Sequence, residues 1–483
     1  MRKLYSIVLT ACAMLVSASL FAVDVTTLAE LQAAIDNTSV GGTVTIRLTD
    51  DINIDNTKKP IRVYANYADP GKTVNLDLNG HVIIASKMRA IELFKGTLNI
   101  TGKGEIRMDA TGSYKPRTIY AIGGSTTSLD DAILVSGSYV PKDADWSVLN
   151  IGKDVTVNSV KNAVVIMETF VYMPNRYSKT AGLNIANVNE YMKTQESTYA
   201  TDGIKYEVDP YFTDAEGNAI IDYTTGEYYR WKTTETSTGS GKYDFYLSGG
   251  SYPVRAYAYG AKVNIEGTVN GTKYGIKING SIRAGSNTTN MPYVHVASTA
   301  TVTSHASNSN ATAIYSSGYG KFLIEGNVHG ATGVYVKGGV VDIKDAVITS
   351  DYTGTYTNPT ANAQASGINA KGSAIIIESN KNYPGGQQVT ISGDTKVKGG
   401  SGYAVQEVVT NATDTKVTSV KVEGGTFDAG SEGAIIVDQR TADKQAIAVV
   451  GGNIDNLTFV KGLDGTKSAV TMNNFFLTGE AEN

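Results

Sequence analysis

The sequence predicts an all-β chain wound as a single-stranded parallel β-helix, a solenoid, with a short N-terminal capping helix and an aromatic-rich insertion. Three observations carry this: strands too short for hairpins, an internal repeat, and 51 glycines against 10 prolines in 483 residues. In 320–343, GKFLIEGNVHGATGVYVKGGVVDI, alternate positions put Phe322 and Ile324 on one face, then Val328, then Val334 and Val336, then Val341 and Ile343. Turns fall at Gly326, over 330–333, and at Gly338 and Gly339. Strands this short leave most backbone groups unpaired unless each lies on a copy of itself in the layer below. The copies exist: 261–280, AKVNIEGTVNGTKYGIKING, matches 320–339 nearly position for position, and weaker echoes end at Gly102, Gly393, Gly424 and Gly451. A solenoid has no size ceiling, because each coil needs only its neighbours, so the length does not force a division into several domains.

In order along the chain, Arg2 and Lys3 precede an apolar run over 4–15, and small residues offer cleavage after Ala18 or Ala22, so residues 1–22 read as an export signal. The only cysteine, Cys12, closes a Leu9-Thr10-Ala11-Cys12 sequence of the lipoprotein kind, which makes a lipid anchor the alternative to ordinary cleavage. No other stretch approaches the length of a membrane span. The expected location is the outer cell surface or the extracellular space. Residues 23–483 form the predicted β-helix domain. Its cap spans 25–38: Thr27 and Glu30 have capping-box spacing, and Leu28, Leu31 and Ile35 share a helical face that can cover the open end of the first coil.

Gly41 and Gly42 end that helix, followed by Val44-Thr-Ile46-Arg-Leu48, an acidic turn at Asp50 and Asp51, Ile52-Asn-Ile54 and Val74-Asn-Leu76-Asp-Leu78-Asn-Gly80. This order resembles the N-terminal end of right-handed parallel β-helix proteins with the pectate-lyase-like fold that bacteria export to the cell surface. The resemblance implies the fold and a surface location. Its motifs are architectural and name no reaction.

Residues 170–259 break the pattern. They hold 18 of the chain's aromatic residues, including Tyr223, Tyr228, Tyr229 and Trp231, while glycine corners are scarce until Gly249. Turn signals at 214–217 and 225–226 predict an antiparallel hairpin excursion. Those four aromatics are the candidate binding residues, since exposed Tyr and Trp faces stack on sugars or dock to protein; the alternative is that they form the small core of the excursion. The regular pattern resumes at Ala261 and runs to about Gly462, with a polar loop at 351–366 expected to bulge from one of its corners, and Met472, Phe475 and Phe476 are expected to cover the last coil.

Charge excludes one class of partner. The net charge is −4, or −6 without Arg2 and Lys3, and the two signs are mixed along the chain, so no basic stripe offers itself to nucleic acid. Enzymes on a fold of this kind act on acidic polysaccharides. Lyases need carboxylates from neighbouring coils to hold calcium plus a basic residue, and hydrolases need two or three Asp on adjacent layers. The paired acids, Asp50 with Asp51 and Asp130 with Asp131, read as turn residues. Among the histidines, His295 and His329 alternate with valines and should face solvent, His81 follows a turn, and His305 lies in a polar loop. The Asn-Thr-Asp, Gly-His-Gly and Arg-x-Lys signatures that a hydrolase of this fold would carry in its later coils are not found there, so no catalytic residue is assigned. No metal-ligand spacing, calcium-binding nonapeptide or phosphate loop appears, and no cofactor or metal is expected. The expected function is therefore a non-catalytic surface β-helix: an adhesin, a glycan-binding protein, or a surface-layer or structural component. Its partners would be a glycan, a host or cell-surface protein, or further copies of itself in an array. The alternative is a polysaccharide lyase or glycoside hydrolase whose residues meet only in three dimensions.

Overall fold

The structure, a computed structural model, describes residues 22–55, 59–65, 70–86, 89–109, 131–136, 147–167, 261–279, 292–305, 311–316, 320–356, 372–379, 387–409 and 418–428, with short strands between 169 and 258 and from 433 to 477. The predicted export signal lies outside these residues up to position 21.

The chain visits three parallel sheets in turn. The first has 13 strands, the second 12 and the third 11, and neighbours in each sheet come from successive coils. One coil runs Lys321–Ile324 in the first sheet, Asn327–Gly330 in the second and Thr332–Val336 in the third, and Gly339–Lys344 returns to the first. The two repeats align as their sequences require. Lys262 pairs with Tyr293 and Tyr293 with Lys321, so equivalent positions lie two rungs apart in one column. The inward positions Phe322, Ile324, Val328, Val334 and Val336 are all buried, within one continuous core of Val, Ile, Leu and Ala. That column is the main source of stability, at roughly 1.5–3 kcal/mol per buried aliphatic side chain before conformational entropy is set against it. Gly326 marks a corner for a steric reason: a Cβ there would press on the carbonyl oxygens of Ala297 and Ala300 in the coil below, at 2.5 and 2.6 Å.

The N-terminal end is closed. The helix Leu28–Asp36 is capped by Thr27, whose hydroxyl accepts from the Glu30 N–H, while the Glu30 carboxylate accepts from the Thr27 N–H. The helix packs on the first strands of all three sheets and buries Leu31 and Ile35. Its Gln32 side chain also takes the place of a missing strand. It accepts from the Arg62 N–H at 2.8 Å and donates to the Arg62 carbonyl at 3.1 Å, satisfying the outer edge of Ile61–Val63. Lys72 Nζ donates to the carbonyls of Ile35 and Asp36, both at 3.0 Å, at the negative end of the helix.

One expectation needs correction. Thr471–Met472 and Phe476–Leu477 are strands and not a separate cover: they pair in parallel with Ile447–Val449 and Asn453–Ile454, so they extend the first and second sheets. Their alternation is too brief to stand out from the sequence, and pairing with the rung below decides it. The sheets also differ on their outer faces. Outward positions of the first two, such as Asn150, Asn158 and Val347, are at least partly exposed, but outward positions of the third, among them Glu92, Tyr315, Tyr335, Ile376 and Gln406, are buried. A strand with both faces covered loses its polar alternation.

The chain leaves the coil after Asn162–Met167 in the third sheet and re-enters at Ala261–Ile265 in the first. Between these points every described pairing is antiparallel: Thr169–Tyr172 with Arg255–Ala258, Glu207–Val208 with Lys232–Thr234 and on to Tyr243–Asp244, and Ile221–Asp222 with Glu227–Tyr228. The last pair is joined across the predicted turn at 225–226. The flanking coils meet as if nothing intervened, since Asn158 pairs directly with Asn270.

Candidate functional site

Of the acids singled out in the sequence, Asp50 and Asp51 make backbone hydrogen bonds. Asp51 accepts from the Val82 N–H of the next coil at 2.9 Å, and its own N–H donates to Asp50 at 2.8 Å. Asp131 opens the strand Asp131–Ser136, where it pairs with Asn162, and Asp130 lies outside the described residues. Of the candidate aromatics, Tyr223, Tyr229 and Trp231 lie outside the described residues; Tyr228 is placed in a strand opposite Ile221, and its side chain is outside them too. His295 and His329 face outward as expected, with ring nitrogens 2.8 Å from Glu325 and 2.7 Å from Asp351.

The structure adds a buried charged cluster that the sequence reading missed. Glu378 Oε2 accepts from the Tyr335 hydroxyl and lies 3.2 Å from Lys337 Nζ, with all three side chains buried. Above and below, Tyr274 stacks on Tyr315 with ring centroids 4.9 Å apart and planes at 17°, and Tyr315 tilts onto Tyr335 at 5.4 Å. Burial pushes the Tyr274 phenol up to about 12. Burial first, and then the Glu378 charge, hold Tyr335 well above the ordinary tyrosine value. The signal in the sequence was Val334-Tyr335-Val336, apolar on both faces, which marks a strand covered on both sides. A fully enclosed Lys–Glu–Tyr group has no opening for substrate, so it is a packing network of the third sheet.

A lateral groove of about 550 Å³ opens along the solenoid. Register builds its floor: Arg107, Asn158, Asn270, Thr303 and His329 are successive partners on the outer face of the second sheet. Hydrogen bonds run up this column. Asn158 donates to Glu105 at 2.7 Å, Asn270 to Asn158 at 2.8 Å, and Thr303 to Asn270 at 2.7 Å. Along the corner with the third sheet run Asp109, Val160, Thr272 and His305, with Asp351 at the far end. Val155–Ser159, Thr268–Gly271 and Asn327–Gly330 turn into the third sheet within one or two residues, which keeps the corner beside the floor tight at these rungs.

The two acids that line the groove stand at its opposite ends. Asp109 and Asp351 close strands five rungs apart in one sheet, which at about 4.8 Å per rung separates them by ~24 Å. That is wider than the roughly 5–9.5 Å of a glycosidase pair, and the nearer carboxylate to Asp109, Glu105, shares Arg107 with it. Arg107 is held by Asp109 at 2.7 Å and Glu105 at 3.6 Å, so its guanidinium is engaged by two carboxylates. Among the described residues no group of three His, Cys, Asp or Glu side chains could hold a metal ion. What the groove does offer is a repeating row of amides and hydroxyls. The sequence contains its ingredients, such as Val157-Asn158 and Val269-Asn270, but their alignment depends on the register of coils about a hundred residues apart.

A family model described as a pectate lyase-like adhesive domain matches residues 22–195, which include the capped end, the first coils and the Arg107 and Asn158 end of the groove. Comparison with curated proteins and with solved structures gives no match. No helix among the described residues is long and apolar enough to cross a membrane.

Proposed function

We propose that this chain is a non-catalytic adhesive β-helix of the cell surface or extracellular space: an export signal over 1–22, then a β-helix over 23–483 that carries the aromatic-rich insertion at about 170–259. The observation that carries the reading is the lateral groove, whose polar floor suits many weak contacts and whose two lining acids, Asp109 and Asp351, stand ~24 Å apart by rung spacing. The family match at the N-terminal end supports an adhesive role. Tyr223, Tyr228, Tyr229 and Trp231 offer a second contact surface, of a type suited to sugar rings or protein. Lipidation at Cys12 or association with an anchored partner would retain the chain at the surface.

The test is adhesion of purified full-length chain to intact cells and extracellular matrix, run beside incubation with polygalacturonate, alginate and glycosaminoglycans. Saturable adhesion without unsaturated products or new reducing ends is the expected result. Turnover of any of these polymers would replace this reading with the lyase or hydrolase alternative. A chain lacking 205–247 should lose part of its adhesion; unchanged adhesion removes the aromatic segment from the account.

A further inference from the structure

Building on the adhesive reading, we infer that the lateral groove of the second sheet is a binding site for a neutral, hydroxyl-rich polysaccharide chain laid along the solenoid axis. Geometry supplies the direction: the floor residues Asn158, Asn270 and Thr303 repeat once per rung, so donors and acceptors recur about every 4.8 Å along one line. A polymer with regularly spaced hydroxyls meets the same contact at each step.

The floor also retains hydrogen-bonding capacity. A primary amide carries two N–H donors, and the ladder uses one from Asn158 and one from Asn270.

Charge selects the class. Arg107 and Asp109 neutralise each other at one end, and Asp351 with His329 closes the other, so no cationic surplus waits for an acidic chain. Lys273, next to Thr272 at the corner, is turned onto the Tyr274 ring, 5.2 Å from its centroid. Uronate polymers would bring carboxylates toward Asp109 and Asp351. Neutral glycans bring none.

The experiment titrates the full-length chain with mannan, xylan and dextran as neutral probes and with polygalacturonate and alginate as acidic ones, by affinity electrophoresis and calorimetry. At least one neutral polymer should bind, and Asn270→Leu combined with Thr303→Val should weaken it at least tenfold. Asn150→Leu combined with Asn264→Leu, which breaks a similar amide ladder on the first sheet outside the groove, should bind like the unaltered chain. If the groove variant does not fold, Thr303→Val alone, which removes one hydroxyl of the floor, should lower affinity with the melting temperature little changed. Unchanged binding in the groove variants, equal loss in both ladder variants, or preference for the acidic polymers overturns the inference. Adhesion to cells with no binding of any neutral probe also overturns it and leaves the adhesive reading standing. Absence of adhesion to every surface is the separate failure of that reading.

Discussion

At the scale of single residues, the third sheet departs most from a simple solenoid. Tyr274, Tyr315 and Tyr335 are outward-lying residues that are nonetheless buried, and the phenols of Tyr274 and Tyr335 ionise late as a result. The consequence for stability has a definite sign. Up to about pH 10 folded and unfolded chains both keep the Tyr274 proton, and stability is level with respect to this group. Above that the unfolded chain ionises first, so stability falls as pH rises toward about 12, by ~2–3 kcal/mol for two pH units. Tyr274→Phe should show a shallower alkaline decline in denaturant melts, with the neutral region little altered. Matching alkaline slopes would remove Tyr274 as a source of the effect. These residues also show where sequence reading stops: Val334 and Val336 announce an inward face, but nothing local says that Tyr335 between them meets Glu378 from the next coil. The groove residues share that difficulty, because Asn158 and Asn270 become neighbours only through coil register.

At the scale of elements, corners decide which coils can stack, and two glycines separate two reasons for a corner. Gly80 has φ 90° with open space where a Cβ would stand. Gly339 has φ 96°, and a Cβ there would also run into the Gly320 backbone of the adjacent rung. Gly80→Ala should cost only the backbone penalty, ~1–2 kcal/mol. Gly339→Ala should cost ~3 kcal/mol or more, because the rung must shift. Equal losses in urea unfolding would refute the packing account of Gly339. Elements were the most legible level of the sequence. The alternation of Phe322 and Ile324 and the Thr27 capping box each have a local physical cause, and the glycine after Ile265-Glu266 recurs because a Cβ there would strike the carbonyls of Gly152 and Val155 in the coil below. Thr471–Met472 and Phe476–Leu477 were misread because two-residue strands carry no period of their own; their partners define them.

At the scale of the whole molecule, the coils are interchangeable where register is kept. Removing 292–319, one complete coil, would set Lys321–Ile324 directly on Ala261–Ile265, in the alignment that Tyr293 now mediates between Lys262 and Lys321. That deletion should leave a folded chain melting within a few degrees of the original, since stability in a stacked array is nearly a sum of neighbour terms. Removing only 301–316 offers later strands to the wrong sheets and should yield aggregate; circular dichroism and thermal melts distinguish the outcomes. The closed N-terminal end bears on assembly in a different way. A filament growing head to tail needs a donor edge on one subunit and a receptive edge on the next, and the Gln32 amide already occupies the receptive position at Arg62. Strand addition from another copy at the Ile61–Val63 edge would first have to displace that amide.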